Sequence, residues 1–97
     1  MEFLVSMRLE LGREVSEEHR ADLRAAEVGR AAELARLGLL RRLWRVPGEP
    51  ANYGLWEAAD ASELHDALTS LPLSRWMTMR VTPLARHPND PIGAETA

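Results

Sequence analysis

The sequence predicts an α+β domain of βαββαβ order, and three stretches carry that prediction. Residues 39–57, LLRRLWRVPGEPANYGLWE, read as two strands around a Pro-Gly turn. Residues 16–37 show helical periodicity between a capping serine and a glycine stop, and residues 2–10 alternate apolar with polar side chains. With a second helix and a last strand, this is the split-βαβ, ferredoxin-like arrangement: a four-stranded antiparallel sheet with two helices on one face.

In the first strand, Phe3, Val5, Met7 and Leu9 share a face, and Leu4 interrupts the polar side made by Glu2, Ser6, Arg8 and Glu10. The first helix starts at Ser16, a good N-cap. Glu17 and Glu18 suit the positive end of its dipole, and Gly38 suits the C′ position. Steps of 3.6 residues gather Leu23, Ala26, Ala31, Leu34 and Leu37 into a buried stripe, with Glu27 and Arg30 in its middle. Two readings of these charges stay open. One is an i, i+3 surface pair, worth roughly a few tenths of a kcal/mol. The other is a carboxylate facing a cavity between helix and sheet. There burial raises its pKa, a neighbouring guanidinium lowers it, and the group can accept and return a proton.

Alternation in the hairpin places Leu40, Trp44 and Val46 on one face of the second strand and Arg41, Leu43 and Arg45 on the other. Pro47-Gly48-Glu49-Pro50 supplies the turn, since proline fixes φ and glycine accepts φ > 0. The third strand alternates Asn52, Gly54 and Trp56 against Tyr53, Leu55 and Glu57. A second helix comes next, with Asp60 as N-cap and Glu63 in a capping-box position. Its apolar stripe is Leu64, Ala67, Leu68 and Leu71, Pro72 ends it, and His65 lies off the stripe. Residues 75–82 form the fourth strand. The expected domain spans residues 1–88, and residues 89–97 form a proline-containing C-terminal tail.

Bulk properties narrow the function. At 97 residues there is room for one modest core. A net charge of −3 gives no support to a nucleic-acid partner, and the sheet lacks an aromatic RNA-binding motif. The absence of cysteine excludes disulfides, thiol chemistry and a thiolate metal site, and His19, His65 and His87 have no ligand spacing, so no metal is expected. No apolar run approaches the roughly 20 residues of a membrane span. The opening MEFLVSM lacks the basic region of a signal peptide, so a cytoplasmic location without membrane attachment is expected.

Several short motifs share one order and spacing: Leu43-Trp44-Arg45, Gly48, Ala51-Asn52-Tyr53, Leu64-His65-Asp66, Leu71-Pro72-Leu73 and Arg86-His87-Pro88. With Phe3, Val5, Met7 and Glu27, they make the chain resemble the muconolactone isomerase family of bacterial aromatic-compound breakdown. The resemblance implies a cofactor-free isomerase that converts muconolactone to 3-oxoadipate enol-lactone within a homo-oligomer, a closed decamer. It also implies Glu27 as the catalytic carboxylate. Arg41, Arg45, Asn52, Tyr53 and His65 are candidates to bind the substrate's carboxylate and stabilise a dienolate oxygen.

The chain departs from the family pattern at Val28, Leu39 and Pro50, expected near the pocket, which leaves the lactone open. The alternatives are a related lactone isomerase, a chloromuconolactone dehalogenase, and a non-catalytic oligomeric binding module of the same fold.

Overall fold

The computed structural model describes residues 1–92. These form β1 (Glu2–Leu9), α1 (Glu17–Arg36), β2 (Leu40–Arg45), β3 (Ala51–Glu57), α2 (Ala61–Thr69), a 3₁₀ turn (Ser74–Trp76) and β4 (Met77–Leu84). The sheet is antiparallel throughout, in the order β2-β3-β1-β4. This is the ferredoxin-like α+β fold expected from the element order. Of the expected tail, residues 93–97 lie outside the described residues.

Directly paired residues of an antiparallel sheet share a face, so the register sorts the side chains. Phe3, Val5 and Met7 pair with Trp56, Gly54 and Asn52 on one side and with Pro83, Val81 and Met79 on the other. This face is covered. Phe3, Val5, Met7 and Trp56 join Leu34 of α1 and Leu64, Ala67 and Leu68 of α2 in one core. The opposite face carries Leu4, Ser6, Arg8, Tyr53, Leu55, Thr78 and Arg80. No helix of the described residues covers it.

The β2 alternation expected from the sequence is corrected by a bulge. Leu40 pairs with Trp56 but Arg42 pairs with Leu55, so β2 takes two steps where β3 takes one, and Arg41 is the extra residue. One inserted residue inverts the parity of the rest of the strand. Leu43 and Arg45, opposite Gly54 and Asn52, therefore share the helix-covered face with Leu40. Trp44, opposite Tyr53, lies on the open face.

Gly54 is needed for close approach. A Cβ at this position would stand 2.6 Å from Trp56 Nε1, so the indole lies across the backbone where any side chain would be.

Helix and turn signals act locally as the residues suggest. Ser16 Oγ accepts from the His19 N–H at 3.0 Å, and Gly38 takes φ 81° just past α1. Asp60 accepts from the Glu63 N–H at 2.9 Å, and Glu63 accepts from the Ala59 N–H at 2.9 Å. The hairpin turn is Val46-Pro47-Gly48-Glu49, one residue earlier than expected. Its Glu49 N–H donates to the Val46 carbonyl at 3.2 Å, and φ of Gly48 is 77°. Proline second and glycine third make a type II turn.

Three further expectations are revised. Leu34 is buried, but Ala26 and Leu37 of the expected α1 stripe are exposed. Leu37 is already the C-cap residue. Ala26 is about 100° around the helix from Glu27, and Glu27 faces the other elements. Residues 74–76 turn before β4 begins. The strand then continues through Pro83 and Leu84, because β4 is an edge strand, where a proline's missing N–H is tolerated. No helix of the described residues is long and apolar enough to cross a membrane.

Candidate active site

A cavity of about 510 Å³ opens between α1, the β2–β3 hairpin and the start of β4. Its walls are mostly apolar, from Met7, Leu9, Ala31, Leu43, Leu73 and Met77. Three charged residues line it: Glu27 from α1, Arg45 from β2 and Glu49 from the hairpin turn. Asn52 of β3 adds an amide.

Glu27 enters this cavity because it sits on the inward stripe of α1, between Leu23 and Leu34. Its Oε1 accepts from the Leu73 N–H at 3.0 Å. Burial is the larger influence and raises its pKa above the ordinary carboxylate range. The Leu73 hydrogen bond acts in the opposite sense and is the smaller influence. The Glu27–Arg30 surface pair considered from the sequence does not form. Arg30 instead donates to Ser70 Oγ at 2.9 Å and to Glu33 Oε2 at 3.2 Å. Among the described residues no cation is paired with Glu27, and a half-buried carboxylate with a raised pKa is suited to taking up a proton.

Arg45 and Asn52 meet on facing strands. They pair directly across β2 and β3, on the side of the sheet that faces the helices. Asn52 Oδ1 is buried without a hydrogen-bond partner. A buried polar atom in that state carries a desolvation cost, which a ligand group could relieve. Glu49 is engaged by Arg8 of β1, which leaves the Arg45 guanidinium without an ion-pair partner among the described residues.

Glu27, Arg45 and Asn52 are thus brought together. Arg41, Tyr53 and His65 are not. Arg41 is the exposed residue of the bulge. Tyr53 is on the open face, beside a second depression that also includes Ser6, Arg8, Thr78 and Arg80. His65 is exposed on α2, in a shallow groove with Met77 and Met79. Of the three departures from the family pattern, Val28 and Pro50 line the cavity, whereas Leu39 packs against the core. The Leu73 amide is not legible in the sequence. A backbone donor has no side-chain signature, and its partner is 46 residues away.

Fold and cavity together define a small α+β protein of ferredoxin-like architecture with a carboxylate in an apolar pocket. A family model described as muconolactone delta-isomerase matches residues 1–90, and the chain belongs to that family of isomerases. It is 38% identical over 89 residues to muconolactone Delta-isomerase of Cupriavidus pinatubonensis, covering 92% of this chain and 97% of that one. The corresponding Pseudomonas aeruginosa protein is also 38% identical over 89 residues, covering 92% of this chain and 93% of its own. A crystal structure of muconolactone isomerase superposes with a TM-score of 0.87 at 36% identity, covering 94% of this chain and 95% of that one.

Proposed function

We propose that this enzyme shifts the ring double bond of muconolactone to give 3-oxoadipate enol-lactone, with Glu27 carrying the proton and no cofactor taking part. The observation that carries the proposal is Glu27 itself, half-buried in an apolar cavity and without a paired cation among the described residues. In an α,β-unsaturated lactone the γ C–H is acidified, because its electron pair can delocalise through the ring to the carbonyl oxygen. The Glu27 carboxylate removes that proton, leaving a dienolate. The resulting carboxylic acid returns the proton to the α carbon, and the double bond ends one position along the ring.

Arg45 holds the acetate arm of the substrate, because a guanidinium binds a carboxylate through two parallel N–H donors. Asn52 serves the dienolate oxygen. Its amide can present either Oδ1 or, turned over, the NH₂ group, and a donor aimed at developing charge is the effective arrangement. Met7, Leu43, Leu73 and Met77 keep the surroundings apolar, which strengthens both contacts.

Residues 1–88 carry this activity. A cytoplasmic location and a homodecamer belong to the same proposal. The uncovered sheet face, where Trp44 and Tyr53 are exposed beside Leu4 and Leu55, supports association of copies.

The test is to mix purified protein with muconolactone, without metal or cofactor, and follow the conjugated lactone spectroscopically. Conversion to the enol-lactone is expected. No conversion by folded protein would reject muconolactone as substrate, and 5-chloromuconolactone, assayed by chloride release, is then the next lactone to try. Val28 and Pro50 at the cavity wall are where such a preference would be set.

A further inference from the structure

Glu27 and Arg30 stand one helical turn apart on α1, and each reaches the same connection between α2 and β4. The Leu73 N–H donates to Glu27 Oε1 at 3.0 Å, and Arg30 Nε donates to Ser70 Oγ at 2.9 Å. Ser70 is itself well fixed. Its hydroxyl donates to the Ala67 carbonyl at 2.6 Å, and its N–H donates to the carbonyls of Asp66 and Ala67 at 3.2 Å. The other edge of the Arg30 guanidinium is held by Glu33. Leu71 and Leu73 are both 4% exposed, so the segment between the two bonds is anchored in the core.

We propose that Arg30 and Ser70 are positioning residues for Glu27: their hydrogen bond sets the 70–73 connection at the level on α1 where the Leu73 N–H meets Oε1, leaving Oε2 to exchange the proton. This rests on the reading of Glu27 as the proton shuttle. A carboxylate held by one oxygen keeps a single orientation, and proton transfer between two carbons of one ring is sensitive to small misplacements of the base. The other charged groups lining the cavity are Arg45 from β2 and Glu49 from the hairpin turn. Among the described residues Arg45 forms no ion pair with Glu27, and Glu49, itself a carboxylate, is paired with Arg8.

Ser70→Ala, Arg30→Met and Ser70→Thr test the proposal through two readouts. The first is ¹³C NMR titration of the Glu27 side-chain carboxyl, and the second is kcat and KM with muconolactone. Ser70→Ala and Arg30→Met should move the Glu27 titration to higher pH, because the lowering hydrogen bond is loosened while burial remains. They should also reduce kcat by roughly 5- to 10-fold, the scale of one net hydrogen bond, with KM little changed. Ser70→Thr keeps the hydroxyl and should restore both. Should Arg30→Met not fold, Ser70→Ala, which removes a single oxygen atom, decides alone. An unmoved Glu27 titration in Ser70→Ala, or a moved one with unchanged kcat, overturns the proposal. Glu27→Gln turning over at the parent rate would instead refute the assignment of the shuttle, so the two failures are distinguishable.

Discussion

The Leu73 N–H donates to Glu27 Oε1 at 3.0 Å, joining the first helix to the connection before the last strand. Among the described residues, this bond leaves Glu27 with one oxygen engaged and one free at the edge of an apolar cavity. It also sets two influences on the carboxyl against each other, with burial the stronger.

The raised pKa makes a pH prediction. As pH falls through the Glu27 value the base is lost, so the acid limb of kcat/KM should have its midpoint above the ordinary glutamate value of about 4.3. An acid limb at or below that value would contradict the assignment.

Stability should move in the opposite direction to activity. Glu27 binds its proton more tightly folded than unfolded, so its contribution is fully present below the unfolded pKa and is lost as pH rises through the folded value. At pH 7 ionised Glu27 is therefore a cost to the fold. Glu27→Gln, which keeps an acceptor for the Leu73 N–H, should raise the urea midpoint at pH 7, and the gain should shrink as the pH is lowered. Equal gains at pH 7 and at low pH would contradict a raised pKa.

Arg45 and Asn52 should separate kinetically. On the proposed roles, Arg45→Ala removes a charge-assisted contact made to the substrate's carboxylate throughout the reaction. KM should rise roughly 10- to 100-fold with kcat little altered. On the same proposal, Asn52→Ala removes a group serving charge that develops only on the way to the dienolate, so kcat should fall roughly 100-fold or more. Reversal of this pattern would exchange the two roles.

Gly54→Ala should destabilise the fold by about 1–3 kcal/mol through overpacking, because the new Cβ would sit against the buried Trp56 indole. For a domain this small that is a fall in Tm of several degrees or more, measurable by calorimetry. An unchanged Tm would mean that the indole moves aside freely.

Much of this arrangement is legible in the sequence because its signals are local. Ser16, Gly38, Asp60 and the Pro47-Gly48 pair each act within a few residues, so helix ends and the hairpin can be read directly. Strand β1 can be read by alternation, Leu4 apart, because one of its faces is core and its ladder is regular on both sides. Strand β2 defeats the same reading at one residue. A bulge at Arg41 depends on how β2 fits β3, which alternation within β2 does not report, and every side chain after it changes face.

The site divides in the same way. Glu27 is visible as a charge inside an apolar stripe, and its nearest opposite charge along the helix, Arg30, is the partner that spacing suggests. In the fold both side chains reach across to residues 70–73 instead. Arg45 and Asn52 enter the cavity together because the bulged register makes them a direct pair. Arg41, Tyr53 and His65 carry suitable chemistry but occupy the bulge, the open face and the groove between α2 and β4. No sequence spacing distinguishes those places from the cavity.

The most direct test of the central claim is the turnover of muconolactone by Glu27→Gln beside the parent enzyme, with circular dichroism and gel filtration confirming an unchanged fold and assembly. Loss of the shuttle predicts a fall in kcat of at least roughly 100-fold. A rate within a few-fold of the parent would contradict the claim and move the proton transfer to another group.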